Sequence, residues 1–104
     1  MVSFVETKLF TRLVQEYLSE SEYVELQSFL IEHPAAGDII PGSGGVRKLR
    51  WRATGRGKRA GFRVLYYARL AQGQIWMLTM YPKSVMENIP AHLLRQIRKE
   101  IDDA

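Results

Sequence analysis

The spacing of apolar residues changes from three or four to two at the Gly- and Pro-rich segment 34–45, and this change limits the possible folds most. Before it, apolar residues recur at helical spacing, first over residues 8–18. Thr7 can cap this helix, and Ser19 with Glu22 forms a capping-box pattern that opens a second helix, which a proline closes. Because the link is short, the two helices are expected to pack as an antiparallel hairpin. Their expected core residues are Leu9, Phe10, Leu13, Val14, Tyr17, Tyr23, Leu26, Phe29 and Leu30.

After this segment the alternation is typical of strands. The predicted strands are 2–5, 46–52, 62–70 and 75–80, and the predicted last helix is 91–101, with Leu93, Leu94, Ile97 and Ile101 as its apolar stripe. The sequence thus predicts an α+β fold in the order β-α-α-β-β-β-α. It has an antiparallel three-strand meander, joined by the first strand and covered by an N-terminal helical hairpin and a C-terminal helix. Residues 1–104 are expected to form a single domain.

Charge is distributed very unevenly along the chain. Residues 1–45 contain two basic and seven acidic residues, whereas residues 46–70 contain nine basic residues and no carboxylate; residues 71–104 contain four of each. Nine positive charges in 25 residues repel one another unless an anion neutralises them. We therefore expect a nucleic-acid partner; an acidic protein or an anionic membrane surface is the alternative.

Several classes of protein and of site are disfavoured. The start of the sequence does not resemble a signal peptide, and the apolar runs have the length of strands, so a cytoplasmic protein is expected. The chain has no cysteine, and its two histidines, His33 and His92, are expected to be ordinary residues near helix ends or on the surface. The basic segment has no carboxylate that could bind magnesium, so neither a metal nor another cofactor is expected.

The remaining candidate site is a cluster of basic residues and a tyrosine. Lys48, Arg50 and Arg52 share one face of a predicted strand; Arg63 lies on the next strand, and Tyr81 and Lys83 lie at the end of the last. Cleavage of RNA without metal requires a base for the 2′-hydroxyl, positive charge for the phosphorane and an acid for the leaving oxygen. Arg and Lys supply the charge, and a crowded cationic site can make a Lys or Tyr side chain a base. The alternative is a solvated face that only binds phosphate.

Three segments resemble the RelE/HigB superfamily of type II toxins: GGVRKLRW (44–51), KRAGFRVLYY (58–67) and LTMYPKS (78–84). The element order is similar over nearly the whole chain, and the second and third segments are most similar to the HigB branch, whose antitoxins are helix-turn-helix proteins. The resemblance implies an endoribonuclease that cleaves mRNA on the ribosome. It also implies a cognate antitoxin, through which alone the protein would reach operator DNA.

The resemblance also implies roles for particular residues. Lys48 and Arg50 match positions that contact the RNA backbone. Arg63 matches the arginine that either stabilises the transition state or supplies the proton to the leaving group. Tyr81 and Lys83 occupy the remaining catalytic positions. The expected RNA-binding residues are Arg47, Lys48, Arg50, Arg52, Arg56, Lys58 and Arg59. The sequence departs from the family near Ile89, where the RelE type has a catalytic tyrosine, so the identity of the base stays open.

Two other functions stay open on the sequence. One is a non-cleaving gyrase poison similar to ParE, although such proteins generally lack the full basic set. The other is a plain RNA- or ribosome-binding module, which usually presents exposed aromatic side chains for stacking. Trp51, Tyr66 and Tyr67 are instead expected to be buried or half-buried in the sheet.

Overall fold

The computed structural model describes residues 1–53, 61–85 and 89–103. Within these residues the protein has the predicted α+β composition, with three α-helices and one five-stranded sheet. The elements are β1 (Ser3–Glu6), α1 (Lys8–Tyr17), α2 (Glu20–Glu32), β2 (Asp38–Ile39), β3 (Arg47–Arg52), β4 (Gly61–Arg69), β5 (Gln74–Pro82) and α3 (Ala91–Asp103), with a 3₁₀ turn at Leu70–Gln72. None of the helices in this part of the chain is both long and apolar enough to cross a bilayer.

The strands lie in the order β1-β5-β4-β3-β2. The predicted antiparallel meander is confirmed for β3, β4 and β5, but the sheet as a whole is mixed because β1 pairs with β5 in parallel. The two-residue strand β2 was not predicted. Both of its residues are exposed and lie within the Gly- and Pro-rich segment, so they leave no alternating pattern in the sequence.

Both predicted helix caps are confirmed. The Thr7 hydroxyl accepts from the Phe10 amide at 3.0 Å and donates to the carbonyl of Leu78 at 2.8 Å, which ties the start of α1 to β5. Ser19 and Glu22 form the reciprocal capping box at the start of α2. Local polar side chains therefore set where both helices begin.

The two faces of the sheet have separate cores. Helices α1 and α2 pack on one face, where Phe10, Leu26 and Leu30 are fully buried, and they contact each other through the rings of Phe10 and Tyr23. Helix α3 packs on the other face through Leu94 and Ile101. The predictions for Leu9 and Leu93 are wrong, since these side chains are 43% and 47% exposed. Phe10 and Leu94, which were also predicted, are buried; because one step rotates a helix by about 100°, the preceding leucines lie outside the buried face.

A buried tyrosine holds the segment between α2 and β3 against the sheet. The Tyr66 hydroxyl donates to the Pro34 carbonyl at 2.8 Å and accepts from the Gly37 amide at 2.9 Å. A Cβ atom at Gly37 would lie 2.9 Å from the Tyr66 ring, so this close approach requires glycine. Burial raises the pKa of Tyr66. The expectation that Trp51, Tyr66 and Tyr67 are buried or half-buried is confirmed.

Candidate nucleic-acid interface

The strand register places the predicted site residues in rows across β3, β4 and β5. Arg50 lies directly opposite Arg63, and Arg63 lies directly opposite Tyr81. Residues paired in this way have Cβ atoms only about 5 Å apart and point to the same face of the sheet. The register therefore brings two guanidinium groups and a phenol into one row.

A second row runs beside the first. Arg52 pairs with Gly61, and the Lys83 amide donates to the Gly61 carbonyl at 2.9 Å. Because Gly61 has no side chain, this row is open in its middle, and a cavity of about 220 Å³ lies there, lined by Arg50, Arg52, Gly61, Arg63 and Lys83 together with Trp51. The missing side chain at Gly61 thus leaves room for a ligand among four cationic side chains.

The third row contains Lys48 and Leu65, which are directly paired. Lys48 is exposed, whereas Leu65 is only 2% exposed and belongs to the core under α3. We call Lys48, Arg50, Arg52, Arg63, Tyr81 and Lys83 the basic face. It occupies the part of the sheet surface beside α3.

The end of α3 is attached to the sheet by a cluster around Asp102. Its carboxylate accepts from the Arg98 guanidinium at 2.5 Å and the Tyr67 hydroxyl at 3.2 Å, and it pairs with Arg69 at 3.4 Å. The hydrogen bond from Arg98 is the main cause that lowers the pKa of Asp102, whereas burial raises the pKa of Tyr67. These contacts keep the C-terminal end of α3 over Tyr67, away from Arg50 and Arg63.

The electrostatics of the basic face favour an anion. Strands β3, β4 and β5 contain no Asp or Glu, and like charges that face each other across strands are destabilising. Arg50 is exposed and Arg63 is partly buried, so a phosphate could contact both guanidinium groups from solvent. Arginine is suited to this because its planar fork can bind two phosphate oxygens at once.

Some predicted site residues lie elsewhere. The Arg47 side chain belongs to the opposite face, and its guanidinium donates to the carbonyl of Gly37 at 2.8 Å and that of Ala35 at 3.3 Å. The structure therefore does not bring Arg47 together with the basic face. The predictions for Arg56, Lys58 and Arg59 lie outside the described residues.

The histidines do not converge. His33 ends α2 on one side of the sheet, and His92 is exposed on α3, which packs on the other side. Within the described ranges 1–53, 61–85 and 89–103, no three His, Asp or Glu side chains stand close enough together to hold a metal ion.

Sequence reasoning missed a second cavity beside Tyr81. It measures about 250 Å³ and is lined by Ile40, Lys48, Leu65, Tyr81, Ile89, Pro90 and Leu94. Ile89, the position at which the sequence departs from the resembled family, is thus part of an apolar wall. The lining residues come from five separate parts of the chain, so no local motif could have indicated the cavity.

No protein-family model matches the chain. The functional proposal therefore depends on the residues and the geometry of the basic face.

Proposed function

We propose that the protein is a RelE/HigB-like toxin of a type II toxin-antitoxin system, a metal-independent endoribonuclease that cleaves mRNA on the ribosome in the cytoplasm. The observation that carries the proposal is the directly opposed pair Arg50 and Arg63, next to Tyr81 and bordered by Lys48, Arg52 and Lys83. Two facing arginines without a carboxylate on their strands form a surface for a phosphodiester.

The proposed reaction is attack by the RNA 2′-hydroxyl on the adjacent phosphorus. The O2′–P bond forms, the P–O5′ bond breaks, one proton leaves the 2′-hydroxyl and one is delivered to the 5′-oxygen. Arg50 and Arg63 would bind the non-bridging oxygens, whose negative charge grows in the phosphorane. Lys83 lies beside the same cavity as Arg63 and would donate the proton to the 5′-oxygen.

The proton acceptor is either Tyr81 or Lys48. Tyr81 lies opposite Arg63, and Lys48 lies two residues before Arg50 on the same face of β3. Tyr81 and Lys48 both line the second cavity. Replacement of Tyr81 with phenylalanine removes the hydroxyl and keeps the ring. A loss of cleavage in that variant with RNA binding retained would assign the base to Tyr81, and unchanged cleavage would assign it to Lys48.

The proposed partners are those that the resemblance to the RelE/HigB superfamily implies. Ribosome-bound mRNA is the substrate, and a cognate helix-turn-helix antitoxin is the inhibitor and the only link to operator DNA. Phosphate contacts dominate the affinity of a surface such as the basic face for RNA and make it depend on salt. RNA binding should therefore weaken as the salt concentration rises.

The test is translation in a cell extract, with cleavage of the mRNA read by primer extension. The wild-type protein should cut the mRNA and Arg63→Ala should not, while Arg12→Ala, which changes an exposed arginine on α1, should cut like the wild type. Arrest of translation without any cut would refute the nuclease and favour a module that blocks translation by binding the ribosome. Equal cutting of naked RNA would refute ribosome dependence, and RNA binding with neither arrest nor cutting would favour a plain binding module.

A further inference from the structure

The second cavity has walls of unlike chemistry. Five of its seven lining residues have apolar side chains: Ile40, Leu65, Ile89, Pro90 and Leu94. Leu65 and Leu94 are each 2% exposed and belong to the core that α3 forms with the sheet. The polar groups come from Lys48 and Tyr81, the two lining residues that also belong to the basic face. We call it the apolar cavity after its five residues with apolar side chains; Lys48 and Tyr81 line the part that it shares with the basic face.

The size of the apolar cavity restricts its occupant. About 250 Å³ corresponds to roughly eight water-sized groups, at about 30 Å³ each. This is the size of one flat heterocycle and too small for a base pair or a folded segment of a partner protein. A ligand with apolar faces and polar edges matches a pocket with aliphatic walls, a phenol and an ammonium group.

The apolar cavity lies beside the place where a phosphate would bind. Lys48 and Leu65 form the row next to Arg50 and Arg63, and alternate residues along a strand are about 7 Å apart. Tyr81 links the two sites, because it lines the apolar cavity and lies opposite Arg63. A phosphate held by the two arginines would therefore be about one nucleotide's length from the apolar cavity.

We propose that the apolar cavity binds the base of a nucleotide whose phosphate lies on Arg50 and Arg63. This inference rests on the proposed function, since it assumes that the basic face binds RNA. A base can enter such a cavity only when it is unstacked and unpaired, so the substrate must be single-stranded at the cleavage site. Burying the base would also fix the nucleotide on the sheet, and so hold its 2′-hydroxyl and phosphate relative to the catalytic side chains.

The test is an NMR titration of the intact protein with uridine 5′-monophosphate, adenosine 5′-monophosphate and, as the ligand without a base, ribose 5-phosphate. All three should shift the side-chain N–H signals of Arg50 and Arg63. Only the nucleotides should give intermolecular NOEs between base protons and the methyl groups of Ile40, Ile89 and Leu94.

Neighbouring isoleucines provide a matched pair of variants. Ile40 lines the apolar cavity, whereas Ile39 is 54% exposed and does not line it. Ile40→Ala should weaken nucleotide binding by about fourfold for each CH₂ group that the base covers, and leave ribose 5-phosphate binding unchanged. Ile39→Ala should bind all three ligands like the wild type. Ile89→Ala, on a different segment, should reproduce the effect of Ile40→Ala.

The outcomes separate this proposal from the one on which it rests. Arginine shifts without base-to-methyl NOEs would overturn the base pocket and leave the phosphate site standing. The absence of arginine shifts with every ligand would overturn the phosphate site and, with it, the base pocket. Equal loss of binding in Ile39→Ala and Ile40→Ala would also refute the base pocket.

Discussion

Arg50 and Arg63 face each other on neighbouring strands, so the proposed site should lower the stability of the empty protein. Replacing Arg50 with glutamine removes one charge and keeps most of the aliphatic stem. Directly opposed like charges cost roughly 0.2–1 kcal/mol, and because Arg50 is exposed we expect Arg50→Gln to raise the free energy of unfolding by about 0.5 kcal/mol. For a domain of this size the gain corresponds to a rise in Tm of about 2–4 °C.

Thermal unfolding followed by circular dichroism measures this directly. Arg52→Gln is the matched control, since Arg52 is also exposed on β3 but lies opposite Gly61, which has no side chain. Arg52→Gln should change Tm by less than half as much as Arg50→Gln. Because the Debye length falls to about 3 Å at 1 M salt, the difference between Arg50→Gln and the wild type should nearly disappear there. A lower Tm for Arg50→Gln at low salt, or equal shifts in the two variants, would refute the reasoning.

Three further predictions concern residues that hold or form the site. Ser43→Ala should lower the free energy of unfolding by about 1–3 kcal/mol in urea titrations, because the fully buried hydroxyl accepts from the Val46 amide at 3.0 Å; a cost below this range would contradict it. In the folded protein the pKa of Asp102 lies below its unfolded value of about 3.9. The ionised carboxylate therefore stabilises the fold above the unfolded pKa, and this stability is lost as the pH falls through the lower pKa of the folded state. Tm should therefore fall less steeply between pH 5 and pH 2 in Asp102→Asn, and parallel curves would refute this. Gly61→Leu should fill the open row of the basic face and abolish mRNA cleavage while the circular dichroism spectrum is kept; full activity would show that the opening has no role.

The sequence was most informative where one local cause determines the structure. The caps at Thr7 and Ser19 depend on side chains within three residues, and they are present as predicted. The alternation over β3 indicated that Lys48, Arg50 and Arg52 share a face, and these three residues are exposed while Leu49 is buried. Periodicity and capping patterns are sufficient for such features because no distant residue is needed to form them.

Features that depend on the pairing of distant residues could not be predicted from local sequence patterns. The parallel pairing of β1 with β5 joins residues about seventy positions apart, and neither strand has a pattern that gives its direction. The opening at Gly61 forms a cavity among cationic side chains only because Arg52 and Lys83 lie on either side of it. In the same way, a simple apolar stripe on α3 did not predict that Leu94 would line a cavity with Tyr81.

The chemistry of the RNA ends tests the central claim most directly. Attack by the 2′-hydroxyl, with Arg50 and Arg63 stabilising the phosphorane, leaves a 2′,3′-cyclic phosphate or its 3′-phosphate hydrolysis product on the upstream fragment. It leaves a 5′-hydroxyl on the downstream fragment. Mass spectrometry of mRNA fragments from a translating extract should show these ends with the wild-type protein, and no cut with Arg63→Ala. A 3′-hydroxyl and a 5′-phosphate, or the same cut with Arg63→Ala, would contradict the account.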